Sequence, residues 1–352
     1  MSSGPSSLEK LRERIARSGG WWPFDQFMAT ALYDPVEGYY TARVRQVGRT
    51  GDFSTSATRE SILGRALARW AMRQKKRLPA AHPWQPWHLI EVGGGNGDLA
   101  FSILHALGWL GRLGLTYHLV EISPPLRALQ EKALAGFKVC WHSDAAGALT
   151  AAKGCALLFS NELVDAWPCR RFQKSGGAWE EIGLGWNENG PVEITHSPSL
   201  DDPIFQISTG FALAGAGTIE VHSAYRAELA EIAKRWTHGV MLTIDYGERF
   251  PALYHRQPQG TVRGYFHHQE MRGPDLYQRM GWQDITADVN FSDLENWGAE
   301  LGWKNESLIN QRVFIVGELG VTIPKTTHEA RLLDPVGAGG CFQVLQQSRG
   351  LL

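Results

Sequence analysis

Two groups of residues in this chain combine types and spacing that could do chemistry. The first is the run Glu91-Val-Gly-Gly-Gly-Asn-Gly-Asp98, which follows directly on the apolar stretch HLIEV. Glycines let a backbone turn tightly and come close to a ligand, and a helix that follows offers unpaired N–H groups at its start. A dinucleotide-type G-x-G-x-x-G beginning at Gly93 needs glycine at 98, where Asp98 stands; beginning at Gly94 it needs glycine at 96, where Asn96 stands. What remains is E-x-G-x-G-x-G through Glu91, Gly93, Gly95 and Gly97. A tight strand-to-helix turn alone would also use glycine, but three alternating glycines cost chain entropy that a ligand site justifies better.

An acid ahead of the glycines repels a pyrophosphate and suits a ligand with an ammonium group and no phosphate. S-adenosylmethionine has that ammonium, with a carboxylate and a sulfonium. Glu121, 24 residues beyond Gly97 at the end of the next apolar run YHLVEI, is placed to accept from both ribose hydroxyls. Asp144, beyond the third run KVCWH, could accept from the adenine amine or cap the helix AAGALTAA.

The second group is SNELVDAWP after the fourth apolar run, with DYG after the fifth. The side-chain oxygen of Asn161 can accept from an acceptor nitrogen, and Glu162 and Asp165 bring two carboxylates close together, which suits a forked guanidinium. Asp245 and Tyr246 add polar groups at the same sheet edge. Methyl transfer from a sulfonium is an in-line displacement, for which alignment, water exclusion and a nearby carboxylate lower the barrier. The plainer reading makes Glu162 a helix cap and Asp165 a solvated acid. His267 and His268 are adjacent and point apart, with no third ligand at useful spacing, so no metal is expected.

These residues need a scaffold of strands and helices in alternation. HLIEV, YHLVEI, KVCWH, ALLFSNE and VMLTIDYG read as strands, with helical periodicity between the first four; this grammar predicts an α/β fold with a parallel sheet. Ser123 reads as a helix N-cap followed by Pro124 and Pro125 in the first turn. Residues 163–218 hold short Gly- and Trp-punctuated runs that read as hairpins, RVFIVG (312–317) reads as a last strand, and the Gly-rich tail reads as peripheral. The expected organisation is a helical N-terminal extension with a cofactor-covering loop (1–86), a first core segment (87–162), a substrate-side insertion (163–238), a second core segment (239–317) and a C-terminal tail (318–352).

Composition bounds the rest. With 35 Lys and Arg against 36 Asp and Glu, the net charge of -1 argues against phosphate neutralisation and a polybasic membrane patch, so no nucleic-acid partner and no membrane insertion are expected. The four cysteines, Cys140, Cys155, Cys169 and Cys341, form no C-x-x-C, which predicts a reducing compartment with no disulfide framework. Met1 to Gly20 has no apolar signal segment, and a cytoplasmic location is expected. The 14 tryptophans have no repeat spacing, and Trp21, Trp22, Trp84, Trp87, Trp109, Trp141, Trp167, Trp179 and Trp186 are expected to seat loops and the insertion against the core.

The segments FMATALYDPVEGYYT, GDFSTS, LIEVGGGNGDLA, YHLVEISPPLRALQ, LFSNELVDAWPCRRFQKSGGAWEE, LTIDYG, GTVRGYFHH and DITADVNFSDL resemble, in order, those of the MidA family, the DUF185 or NDUFAF7-like S-adenosylmethionine-dependent methyltransferases. The resemblance implies a Rossmann-like methyltransferase core with an insertion between the fourth and fifth strands. It also implies methylation of an arginine in a partner protein, as in the support of respiratory complex assembly. It carries the glycine motif onto Gly93, Gly95 and Gly97, the acidic strand end onto Glu121, and the acceptor-side motif onto Asn161, Glu162 and Asp165. It further places Asp52 and Thr55, in the loop Gly51 to Ser56, over the cofactor, and Arg263 of GTVRGYFHH on the substrate side. The chain departs from the family at Ala57-Thr58-Arg59-Glu60, at Gly94 and Asn96, and in MRGPDLYQRMGWQ. Those departures leave two rival expectations: a non-catalytic assembly factor that keeps the pocket, or a methyltransferase acting on RNA or a small molecule.

Overall fold

The computed structural model describes residues 6–44, 62–79, 86–199, 202, 217–266 and 269–351. The chain divides into two compact units. One comprises 1–44, 164–225 and 248–292; the other comprises 45–163, 226–247 and 293–352.

The second unit is built on a sheet whose strands we number β1 (Trp87–Val92), β2 (Leu115–Val120), β3 (Val139–His142), β4 (Leu157–Asn161), β5 (Gly239–Glu248), β6 (Lys304–Asn310) and β7 (Phe342–Arg349). Their order across the sheet is β3-β2-β1-β4-β5-β7-β6. The first five pair in parallel, and β7 lies antiparallel to both β5 and β6. This is the parallel α/β sheet that the alternation predicted, in the Rossmann-like form that the family resemblance implied. Helices α1 (Ile62–Lys75), α2 (Asp98–Gly111), α3 (Pro124–Ala133) and α4 (Ala145–Ala151) accompany it. Tyr117, Leu119, Phe159, Leu242 and Ile244 of the strands pack with Leu67 and Trp70 of α1 and Ile103 of α2 in one buried cluster. Ser123 caps α3 by accepting from the Leu126 N–H at 3.3 Å, the cap read from the sequence.

Two readings of the C-terminal region are corrected. RVFIVG lies within a helix, α5 (Gln311–Leu319), capped by Asn310, which accepts from the Val313 N–H at 2.9 Å. Its β-branched residues suggested a strand, but Gln311, Phe314 and Ile315 are the buried positions, at the i, i+3, i+4 spacing of one helix face. The tail is an interior strand: β7 pairs with β5 from Gly239↔Arg349 to Tyr246↔Phe342. Its glutamines hid it. Gln346 accepts from Trp70 Nε1 at 2.9 Å, and buried Gln347 donates to Asn305 at 2.7 Å and to the Leu294 carbonyl at 3.2 Å, so these two glutamines have partners inside.

The first unit carries an antiparallel sheet of Arg170–Ser175, Ala178–Asn187, Gly190–His196 and Thr218–Val221, the hairpins expected between the fourth and fifth core strands. The N-terminal helix Ser7–Arg17 belongs to the same unit, with a reciprocal cap between Ser6 and Glu9 and with Leu11 and Ile15 buried. Tryptophans act within each unit as seats. Trp21 stacks on His196 with ring centres 4.5 Å apart, and Trp236 donates to the Ala156 carbonyl at 3.1 Å while meeting Trp303 edge-on. Trp109 is an exception to the expectation: it is 70% exposed.

Because β7 is interior, Leu345→Ala removes a fully buried side chain and is expected to cost about 2–5 kcal/mol. Val336→Ala in the exposed segment just before it is expected to change stability by less than about 0.5 kcal/mol. Urea unfolding of both variants checks this, and equal midpoints would place the tail outside the core.

Candidate functional site

The register of the parallel strands sets out the site. Val92 pairs with Val120 on one side and with Ser160 on the other, Val120 pairs with His142, and Asn161 pairs with Ile244. The residues just past these pairs therefore form one row along the carboxyl edge: Asp144 after β3, Glu121 after β2, Gly93 after β1, Glu162 after β4 and Asp245 within β5. The chain steps from β1 to β2 and β3 on one side and returns to β4 on the other, so strand order reverses at β1. In open α/β sheets ligands occupy the crevice outside such a reversal.

At the centre of the row the glycine loop has three left-handed residues, Gly93 (φ +75°), Gly95 (φ +52°) and Gly97 (φ +87°). A side chain at Gly93 would run into Leu163 at 2.6 Å, and one at Gly97 would press on the Gln130 backbone at 3.2 Å. A side chain at Gly95 would meet nothing within 4 Å, so the loop is open on that side. Asn96 closes the loop from within, accepting from the Asp98 N–H at 3.1 Å and donating to its carboxylate at 2.8 Å. Gly97 caps α2 without a side chain.

Glu121 is half-buried beside this loop. Its carboxylate accepts from the Ser123 N–H at 2.8 Å and from the Gln130 amide at 2.9 Å. Burial pushes its carboxyl up to about 7, against those two donors. Asp144 is the N-cap of α4: one oxygen accepts from the Gly147 N–H at 2.7 Å and the other from the Ser143 hydroxyl at 3.0 Å. The backbone and hydroxyl bonds hold its carboxyl below the usual range.

Past β4, Asn161 donates to the Glu162 carboxylate at 3.1 Å, and its own Oδ1 is buried with no hydrogen-bond partner among the described residues. Glu162 sits at φ +52°, one of two non-glycine residues in the left-handed region among those described. Such strain collects at functional sites, where the surroundings hold it in place. Asp245 is one such holder. Fully buried, it accepts from the Leu163 N–H at 3.1 Å and from the Tyr246 N–H at 3.0 Å, fixing the backbone after Glu162. The Tyr246 ring meets Phe342 edge-on.

Asp165 and Arg263 belong to the other compact unit. Asp165, expected on the acceptor side beside Glu162, is buried and not the solvated acid of the plainer reading; it accepts from the Thr286 hydroxyl at 2.7 Å. Arg263 pairs with Asp288 at 2.6 Å and donates to the Thr261 carbonyl. Asp52, Thr55, His267 and His268 lie outside the described residues. Sequence reasoning missed Gln130. Its signal was a glutamine four residues after buried Leu126, on the same helix face.

A protein-family model described as "putative S-adenosyl-L-methionine-dependent methyltransferase" matches residues 66–309. The chain belongs to this methyltransferase family. It is 26% identical over 333 residues to the zebrafish (Danio rerio) mitochondrial protein arginine methyltransferase NDUFAF7, covering 85% of this chain and 73% of that one. It is 27% identical over 320 residues to the Drosophila melanogaster homologue, covering 82% and 69%. A solved COG1565 superfamily member from Burkholderia thailandensis, bound to S-adenosyl-homocysteine, superimposes with a TM-score of 0.82 at 27% identity. That match covers 100% of this chain and 96% of that one.

The methyltransferase's cofactor finds a fitting frame here in the open side of Gly95 and the acid at the next strand end. Glu91 departs from the expectation of a standing anion. It is 2% exposed, its carboxyl accepts from the Tyr117 hydroxyl at 2.6 Å, and burial pushes it up to about 8. The tyrosine bond pulls the other way, and the neighbouring Glu121 charge adds to the rise. At pH 7 the Glu91 carboxyl keeps its proton. The unfolded chain releases that proton near 4.5, so the folded state is favoured most below pH 4.5 and loses stability as pH climbs towards 8. Glu91→Gln keeps the shape without the ionisation. Its melting temperature is therefore expected to gain on the unsubstituted protein steadily between pH 5 and 8. A constant difference across that range would mean that Glu91 ionises normally in the fold.

Proposed function

We propose that this methyltransferase transfers a methyl group from S-adenosylmethionine to a guanidino nitrogen of an arginine in a partner protein. Bound in the crevice, the cofactor supplies an electrophilic methyl group. Gly93, Gly95 and Gly97 carry the backbone that approaches it, Glu121 accepts from the ribose hydroxyls, and Asp144 lies at the adenine end of the row.

Methylation of a guanidinium makes one N–C bond as one S–C bond breaks, and it releases one proton. The acceptor side must therefore hold a cation, aim one nitrogen and take up that proton. The observation that carries the proposal is the Asn161–Glu162 corner. It holds a buried amide oxygen without a donor among the described residues, beside a carboxylate on a left-handed, strained backbone, at the strand next to the glycine loop. Leaving such an oxygen unpaired costs on the order of 1–3 kcal/mol, which an N–H of the acceptor would restore. The Glu162 carboxylate pairs with the guanidinium fork and takes the proton. Support for an arginine acceptor comes also from the relatives named as protein arginine methyltransferases.

Glu162→Gln is expected to bind S-adenosyl-homocysteine as the unsubstituted protein does and to lose methyl transfer by about 10²-fold or more. Transfer of labelled methyl to protein in a deletion lysate measures it; undiminished transfer would remove Glu162 from the reaction. Mass spectrometry of peptides from cells with and without the protein is expected to show methylarginine that depends on it. Label that survives protease but not nuclease would assign the acceptor to RNA instead.

A further inference from the structure

Gln130 is the fully buried polar side chain of α3, and it touches three elements of the cofactor site at once. Its amide nitrogen donates to the Gly95 carbonyl at 2.8 Å and to Glu121 Oε2 at 2.9 Å, and its oxygen accepts from Trp141 Nε1 at 3.1 Å. An amide has two N–H donors, and here both are spent on the ligand-facing loop and the strand-end acid. An indole only donates, so Trp141 dictates which end of the amide faces it. The orientation of Gln130 is thereby set by protein partners on both ends of the amide.

We propose that Gln130 is the positioning residue of the cofactor site: it ties the glycine loop to Glu121 and so sets how the ribose is read. This rests on the reading that Glu121 accepts from the ribose hydroxyls. Ser123 holds one carboxylate oxygen and Gln130 the other, and the Ile122 backbone N–H adds a third donor, so the carboxylate is anchored before a ligand reaches it. A carboxylate with both oxygens anchored offers a pair of acceptors to two adjacent hydroxyls. The same residue sets the height of the loop. A side chain at Gly97 would press on Gln130 Cα, and one at Gly94 would come within 3.3 Å of Gln130 Nε2, so the loop lies on the α3 surface at this glutamine. Without the amide, the Gly95 carbonyl and Glu121 Oε2 lose their common donor, and their separation is no longer held.

The test compares adenosine with 2′-deoxyadenosine as competitors of S-adenosyl-homocysteine, by calorimetry on the full chain. The unsubstituted protein is expected to prefer adenosine by about tenfold or more, the value of roughly one well-made hydrogen bond. Glu121→Gln is expected to erase that preference. Gln130→Met, of similar length without donors, is expected to erase most of it too, and the double variant to be no worse than Glu121→Gln alone. Trp141→Phe, which leaves Gln130 in place, is expected to lose a smaller part and covers the case in which Gln130→Met fails to fold. Full preference in Gln130→Met or, should that variant not fold, in Trp141→Phe overturns the inference, as does a double variant whose losses multiply. Full preference in Glu121→Gln overturns the ribose reading itself, which separates the two failures.

Discussion

The parallel register of β3, β2, β1, β4 and β5 is the constraint on which the site depends. Each strand is locked to its neighbour by ladder hydrogen bonds, so the place where one strand ends fixes where the next side chain past it must sit. The pairs Val92↔Val120, Val92↔Ser160 and Asn161↔Ile244 put Glu121, Gly93 and Glu162 in line across the carboxyl edge. A slip of one residue in any of these strands would turn its side chains to the opposite face and take one member out of the row. The burial of Leu89, Leu119, Phe159 and Leu242 therefore contributes to specificity as well as stability, because it penalises every other register.

The costs are gathered at that edge. Three glycines and one glutamate adopt left-handed backbone within or beside the crevice, two acids with raised titration sit side by side, and one amide oxygen lacks a donor among the described residues. All but the amide oxygen are offset by a fixed partner from a neighbouring element. Asp245 clamps the backbone after Glu162, Tyr117 satisfies Glu91, and Gln130 serves both the loop and Glu121. Around an edge held from three sides, the backbone has little freedom to relax into cheaper geometry. That retained strain is the condition for a site that meets its ligand already shaped.

Much of this was legible in the sequence because it follows short-range rules. Alternating apolar runs gave the parallel sheet, ExGxGxG gave the loop, and an acid at the end of YHLVEI gave Glu121. The failures have a common cause in buried polar groups. Gln346 and Gln347 made β7 look like a surface tail, though each is paired inside with a residue distant in sequence. Glu91 looked like an open anion because nothing local shows that Tyr117, 26 residues later, will lie against it. Gln130 passed unnoticed because its three partners come from three separate segments. The α5 helix was misread because β-branched residues favour strands locally, while the cap and the buried i, i+3, i+4 face decide the outcome.

A net charge of -1 leaves the chain without a global field to draw in a cationic ligand, so discrimination has to arise within a few ångströms. The structure sharpens what that means. Burial pushes Glu91 up to about 8 and Glu121 up to about 7, so near neutral pH the crevice holds less negative charge than its carboxylates suggest. A ligand that donates to Glu121 favours its ionised form and expels a proton, creating the charge at the moment it is used. An anion or an uncharged ligand without paired donors gains nothing from that ionisation. In a crevice of this kind, charge follows geometry: Ser123 and Gln130 hold the Glu121 carboxylate and Trp141 holds Gln130, so a donor arriving there meets an acceptor whose place is already set.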